Sequence, residues 1–127
     1  MIKLLFVDDE KGITDALQQF FGGRGFATIT ANSGEEAVEK TRAESPDIVF
    51  LDIRMKGMGG LEALKKIKEM NNKTKVVMLT IHEEKEIMDT ALQYGADKYI
   101  TKPFRVDYLE ETVIKMIQEL TGEKRDG

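Results

Sequence analysis

The chain has 127 residues, a common size for one domain, with 41% hydrophobic and 33% charged residues and a net charge of -4. This balance suits a soluble globular protein, and the acidic field argues against direct contact with nucleic acid. Cysteine is absent, which excludes disulfides and thiolate metal sites, and no apolar run approaches the roughly 18 residues a membrane span needs.

The first predicted strand is Leu4-Leu5-Phe6-Val7, an apolar run that meets Asp8, Asp9 and Glu10 without a break. Acid this early also rules out the apolar segment of a signal peptide, so the expected compartment is the cytoplasm. Ile13, Ala16, Leu17 and Phe20 recur at helical spacing, and Gly22, Gly23 and Gly25 are expected to close that helix. A second strand is expected from Phe26 to Thr30, followed by a helix opened by a capping box of Ser33 and Glu36. The third strand, Ile48 to Leu51, follows Pro46 and ends at Asp52. Leu61, Leu64 and Ile67 mark the third helix, whose Lys65, Lys66, Lys68 and Glu69 read as a solvated face. The stretch "NNKTK" separates it from the fourth strand, Val76 to Leu79. Thr80 ends that strand, with Glu83 placed to complete a second capping box. Ile87, Met88, Ala91 and Leu92 form the apolar stripe of the fourth helix. Tyr99-Ile100 is the fifth strand, and Lys102 and Pro103 follow it. Leu109, Val113, Met116, Ile117 and Leu120 line the last helix.

Each strand is a short apolar run, as expected of a strand buried on both faces. Five βα units in succession imply an α/β fold, a five-stranded parallel sheet flanked by five helices and joined by right-handed crossovers. In the flavodoxin-like doubly wound order 2-1-3-4-5, the crevice opens between strands 1 and 3 at their carboxyl ends. That order brings Asp8, Asp9 and Asp52 to one rim, with Thr80 and Lys102 beside them. Carboxylates about 4 Å apart repel by roughly 4 kcal/mol per pair at an effective dielectric of about 20. A hard divalent cation, Mg²⁺ or Mn²⁺, is the natural counter-charge for an all-oxygen site, and Lys102 supplies a further one. These parts suit phosphoryl transfer, in which a carboxylate can itself act as nucleophile.

Four stretches, "VDDE", "LDIRM", "MLTIH" and "YITKPF", occur in the order and on the elements that carry them in a known family. From about Lys3 to Leu120 the chain resembles the receiver domain of two-component response regulators, of the single-domain chemotaxis or phosphorelay type. The resemblance implies a receiver over residues 1–121, with 122–127 a polar tail or the start of a linker. It implies a phosphorylation-activated switch in which Asp52 accepts a phosphoryl group from a histidine kinase or histidine phosphotransfer protein. Asp9, Asp52 and the Arg54 backbone carbonyl would hold Mg²⁺ (Mn²⁺ being possible), with Asp8 acting through water. Thr80 and Lys102 would bind the phosphoryl oxygens, and Tyr99 would be the aromatic residue that turns on phosphorylation. The bond before Pro103 would be cis. A downstream target or a second copy would dock on the face formed by helix 4, strand 5 and helix 5. No membrane or nucleic-acid partner is expected, and no turnover beyond the domain's own phosphorylation and dephosphorylation.

Arg54, Ile81 and His82 stand where residues over the pocket mouth would set the lifetime of the phosphorylated state. Arginine has no lone pair to hold an attacking water, and Ile81 is bulky, so a long-lived phosphorylated form is expected. Lys56 and Gly59 depart from the family pattern and loosen the loop before the third helix. The individual residues also have plainer readings: Asp9 as a helix cap, Lys102 as a surface lysine, Tyr99 as a half-buried strand aromatic.

Rival functions fit less well. A haloacid-dehalogenase-type phosphatase needs an Asp two residues after its nucleophile, whereas Glu10 follows Asp8 and Arg54 follows Asp52. A P-loop switch needs G-x-x-x-x-G-K-[ST], which is missing. A degenerate receiver, acting as an unphosphorylated interaction module, would not require every site position to be filled as it is here. The last helix lacks the arginine pattern associated with winged-helix regulators, which favours a stand-alone receiver over one cut from a longer regulator.

Overall fold

A computed structural model describes residues 1–71, 73–81 and 85–122. His82, Glu83 and all but Gly122 of the expected tail at 122–127 lie outside the described residues, and with them the second capping box and the His82 reading. Five strands, β1 (Lys3–Val7), β2 (Ala27–Ala31), β3 (Ile48–Asp52), β4 (Lys75–Thr80) and β5 (Lys98–Thr101), alternate with helices. The helices are α1 (Lys11–Gly22), α2 (Gly34–Glu44), α3 (Gly60–Met70), α4 (Lys85–Gln93) and α5 (106–121). All strand pairs are parallel, in the order β2-β1-β3-β4-β5, as the run of βα units predicts.

Side chains alternate across the sheet, so one strand feeds two cores. Leu4 and Phe6 of β1 pack with Leu17 and Phe21 of α1 and with Val113 and Ile117 of α5. Leu5 and Val7 point the other way, toward Ala37 and Val38 of α2 and Leu64 and Ile67 of α3. Phe6 stacks between Phe21 and Phe50, with centroids 5.3 and 5.1 Å away. Burying each such ring contributes about 2–3 kcal/mol. Every residue of β3 is buried, which carries Asp52 at its end into the edge of the core. Among the described residues, no helix is long and apolar enough to cross a membrane.

Several local readings need correcting. Leu92 does not join the buried stripe of α4: it is 53% exposed, while Met88 and Ala91 are buried. Met88 and Ala91 share one core cluster with Ile67, Val76 and Met78, which Leu92 does not enter. Lys68 is not on a solvated face. Its stem lies under Gly95, and its ammonium meets the Thr74 carbonyl at 2.7 Å and Asp97 at 2.9 Å. Asp97 also accepts the Val76 N–H at 2.8 Å, so this pair ties α3 to the start of β4. In α2 the Ser33 hydroxyl accepts the Glu36 N–H at 3.0 Å, as a capping residue should. The Glu36 carboxylate, however, accepts from Asn32 N–H at 2.7 Å, one residue upstream of the usual capping-box partner. That bond holds the Glu36 carboxyl below its ordinary range. Finally, α5 is not a uniform α-helix: between Val106–Tyr108 and Ile114–Thr121 it widens into a π-turn at Leu109–Val113.

Candidate functional site

The rim is built by strand ends. Asp8 follows β1 and is fully buried, Asp52 closes β3 and is 5% exposed, and Asp9 stands open to solvent. One carboxylate oxygen from each of the three lies within 4.8 Å of the others. Asp8 is held in place by accepting the Glu10 N–H at 3.0 Å, and Asp52 by accepting the Arg54 N–H at 3.3 Å. Helix α1 starts after Glu10 and has no side-chain cap, so Asp9 is not used as one.

Lys102 enters from beyond β5. Its peptide bond to Pro103 is cis, and its backbone N–H donates to the Thr80 carbonyl at 2.8 Å, extending the β4–β5 ladder by one rung. Its ammonium is hydrogen-bonded to Asp8 and lies 3.5 Å from an Asp52 oxygen. Thr80, at the end of β4, is buried beside it. Ile81 and Arg54 are both exposed. Tyr99 pairs with Met78 across β4–β5 and is 44% exposed.

The electrostatics follow from this crowding. Burial, reinforced by the neighbouring Asp8 charge, raises the Asp52 carboxyl from its ordinary 3.8 to about 6, and Lys102 offsets only part of that. Burial alone would lower Lys102, but its bond to Asp8 and the charge of Asp52 outweigh it, and the ammonium is held above its ordinary value. Near neutral pH, Asp52 is therefore an ionised but poorly solvated carboxylate facing a fixed cation. Three acids against one ammonium leave net negative charge. The all-oxygen donor set of Asp8, Asp9 and Asp52 fits a hard divalent cation such as Mg²⁺.

Comparison with known proteins decides what this geometry belongs to. The sequence model of the response regulator receiver domain matches residues 4–114. The chain belongs to the response regulator receiver family.

As a receiver it is a part of two-component signalling, and receivers act as signalling domains more than as catalysts. They bind Mg²⁺ through an acidic pocket and interact with histidine kinases or phosphotransfer proteins. The chain is 33% identical over 115 residues to sporulation initiation phosphotransferase F of Bacillus subtilis, spanning 91% of this chain and 93% of that protein. It is 38% identical over 102 residues to the alkaline phosphatase synthesis transcriptional regulatory protein PhoP of the same organism, spanning 80% of this chain but only 42% of the longer protein. Its fold matches a chain in the crystal structure of the CheX-CheY-BeF3-Mg²⁺ complex of Borrelia burgdorferi. The TM-score there is 0.83 at 33% identity, covering 91% of this chain and 89% of that one.

Three residues of the receiver's site escaped the sequence reading. Asn32, at the end of β2, donates to the Asp8 carbonyl at 2.8 Å and to the Thr14 hydroxyl at 3.2 Å, fixing the acid-bearing turn to its neighbours. Gly60, the first residue of α3, sits so close to the acceptor strand that a Cβ there would lie 2.1 Å from the Asp52 carbonyl oxygen. Gly34, the first residue of α2, makes a similar approach to Met58, where a Cβ would lie 2.5 Å from the carbonyl oxygen. Only glycine gives the backbone that room. Glycine at a helix start reads in sequence as ordinary punctuation, and nothing local marks the approach of a distant strand.

Proposed function

We propose that the chain is a phosphorylation-activated switch in which Asp52 takes a phosphoryl group from a phosphohistidine on a histidine kinase or phosphotransfer protein. The observation that carries this reading is the Asp52 carboxylate itself: buried, 3.5 Å from the Lys102 ammonium, and within a cluster of acids that fits a divalent cation. Asp9, Asp52 and the Arg54 carbonyl would hold Mg²⁺, with Mn²⁺ able to replace it and Asp8 acting through water. Bound there, the ion supplies charge neutralisation for phosphoryl oxygens.

The chain's own residues do the rest. An Asp52 oxygen attacks phosphorus in line with the departing imidazole nitrogen, a step that needs no proton from the receiver. Lys102, freed in part from Asp8, neutralises a phosphoryl oxygen, and the Thr80 hydroxyl donates to another. The donor has a place to approach. A cavity of about 680 Å³ lies between α1 and the segment after β5, walled by Ile13, Ala16, Phe20 and Phe104, with Lys102 at its inner edge. An apolar helical surface carrying the donor histidine would fit against it.

Drawing Thr80 toward the phosphoryl group opens space behind it, into which Tyr99 turns from its half-exposed position. The face of α4, β5 and α5 then changes shape and engages a downstream target or a second copy. The equilibrium needs only a few kcal/mol of differential binding. Incubation with acetyl phosphate and Mg²⁺ tests the acceptor. The native protein should gain one phosphate by intact mass, and Asp52→Asn should gain none; equal labelling of the two proteins would overturn the assignment.

A further inference from the structure

The segment 53–59 carries Arg54 from the end of β3 to α3. At its start the Arg54 N–H donates to Asp52 at 3.3 Å, and Met55 and Met58 pack against the core. The chain's only prolines are Pro46 and Pro103, glycines occupy 57 and 59, and Gly59 caps α3 without a side-chain hydrogen bond. The loop is nevertheless closed at its neck, where the Gly60 N–H donates to the Ile53 carbonyl at 3.0 Å. Its tip is held from outside, by α2. The Glu35 carboxylate accepts the Met58 N–H at 3.2 Å. Gly57 lies against the same carboxylate with φ at 72°, and the Met58 carbonyl fits into the space left by Gly34. Arg54 is held at the neck by its N–H on Asp52, and the anchored tip fixes the course of the chain that leads away from its carbonyl.

We infer that Gly34 and Glu35 are positioning residues for the metal side of the site: by fixing Met58, they fix the Arg54 backbone carbonyl relative to Asp9 and Asp52. The inference rests on the reading of those acids as a cation site. Glu35 acts here as a hydrogen-bond acceptor, not as a charge. Glutamine keeps an acceptor oxygen at the same reach and loses the charge, while alanine loses both.

The test is Mg²⁺ affinity of the full chain, measured with the metal alone by NMR shift titration and without any phosphodonor. Glu35→Ala should weaken binding about three- to tenfold, the range one hydrogen bond supporting a ligand is worth. It should also speed amide exchange at Met58. Glu35→Gln should stay within about twofold of native, and Gly34→Ala, which pushes the tip away through the Met58 carbonyl, should weaken binding at least as much as Glu35→Ala. Native affinity in Glu35→Ala would overturn the inference, as would equal weakening in Glu35→Gln and Glu35→Ala, which would mean that Glu35 attracts the ion by charge. If the native protein binds no Mg²⁺, the cation-site reading itself fails and the inference falls with it.

Discussion

Replacing Asp52 with asparagine should stabilise the metal-free protein, and the gain should depend on pH. The folded carboxyl is raised to about 6, whereas the unfolded one titrates near 3.8. Between those values the native state holds a proton that the unfolded state has released, so this group's contribution to stability falls as pH rises through the interval and levels off above about 6. The full cost of ionising Asp52 in place is about 3 kcal/mol. That figure is already net of the attraction to Lys102, and a buried asparagine amide keeps a desolvation cost of its own, so the gain at pH 7.5 should be about 1–2 kcal/mol. Urea denaturation followed by circular dichroism in EDTA, from pH 4 to pH 8, measures the difference between the two proteins. The gap should be near zero at pH 4 and open by pH 7. A gap that is the same at both ends would refute the reasoning, since it would show that the native carboxyl carries no penalty for ionising.

Asp9→Asn should likewise be more stable than native without metal, while its melting temperature should rise less on adding Mg²⁺. A native site at tenfold excess over Kd gives about 1.4 kcal/mol of stabilisation by mass action, and calorimetry with and without the ion measures how much the variant loses. Gly60→Ala places a methyl group against the Asp52 carbonyl, and urea denaturation should show it destabilised by about 2–4 kcal/mol. Arg54→Asn combined with Ile81→Ala opens the pocket mouth and supplies a group able to orient water. Its aspartyl phosphate should decay clearly faster than the native one when followed by phosphate release, and an equal or slower rate would show that these residues do not set the lifetime.

The acid rim was legible because it breaks a rule: apolar runs destined for burial end in carboxylates at Asp8 and Asp52, which only a shared counter-charge explains. The strand order was legible from five βα units together with the place where such sheets open. Other features depend on distances between segments far apart in sequence. Lys68 looks solvated in its helix, and only the Asp97 turn, 29 residues on, makes it a partner. Leu92 continues a helical stripe, but only the packing of α4 shows that Met88 and Ala91, and not Leu92, enter the core. The π-turn at Leu109–Val113 leaves the apolar spacing of α5 almost unchanged, so periodicity cannot report it. There Glu110 pairs with Arg24, whose guanidinium lies 3.7 Å over the Phe20 ring, an anchor between α1 and α5 that neither segment reveals alone. Gly34 and Gly60 are the same lesson in backbone form.

The central claim concerns which oxygen receives the phosphoryl group. Treating the acetyl phosphate-labelled protein with borohydride reduces an aspartyl phosphate to homoserine, and peptide mass sequencing then locates the converted residue. The arrangement of Asp52 against Lys102 predicts homoserine at position 52 alone. Homoserine at position 8 or 9, or none in a protein that carries phosphate, would contradict it.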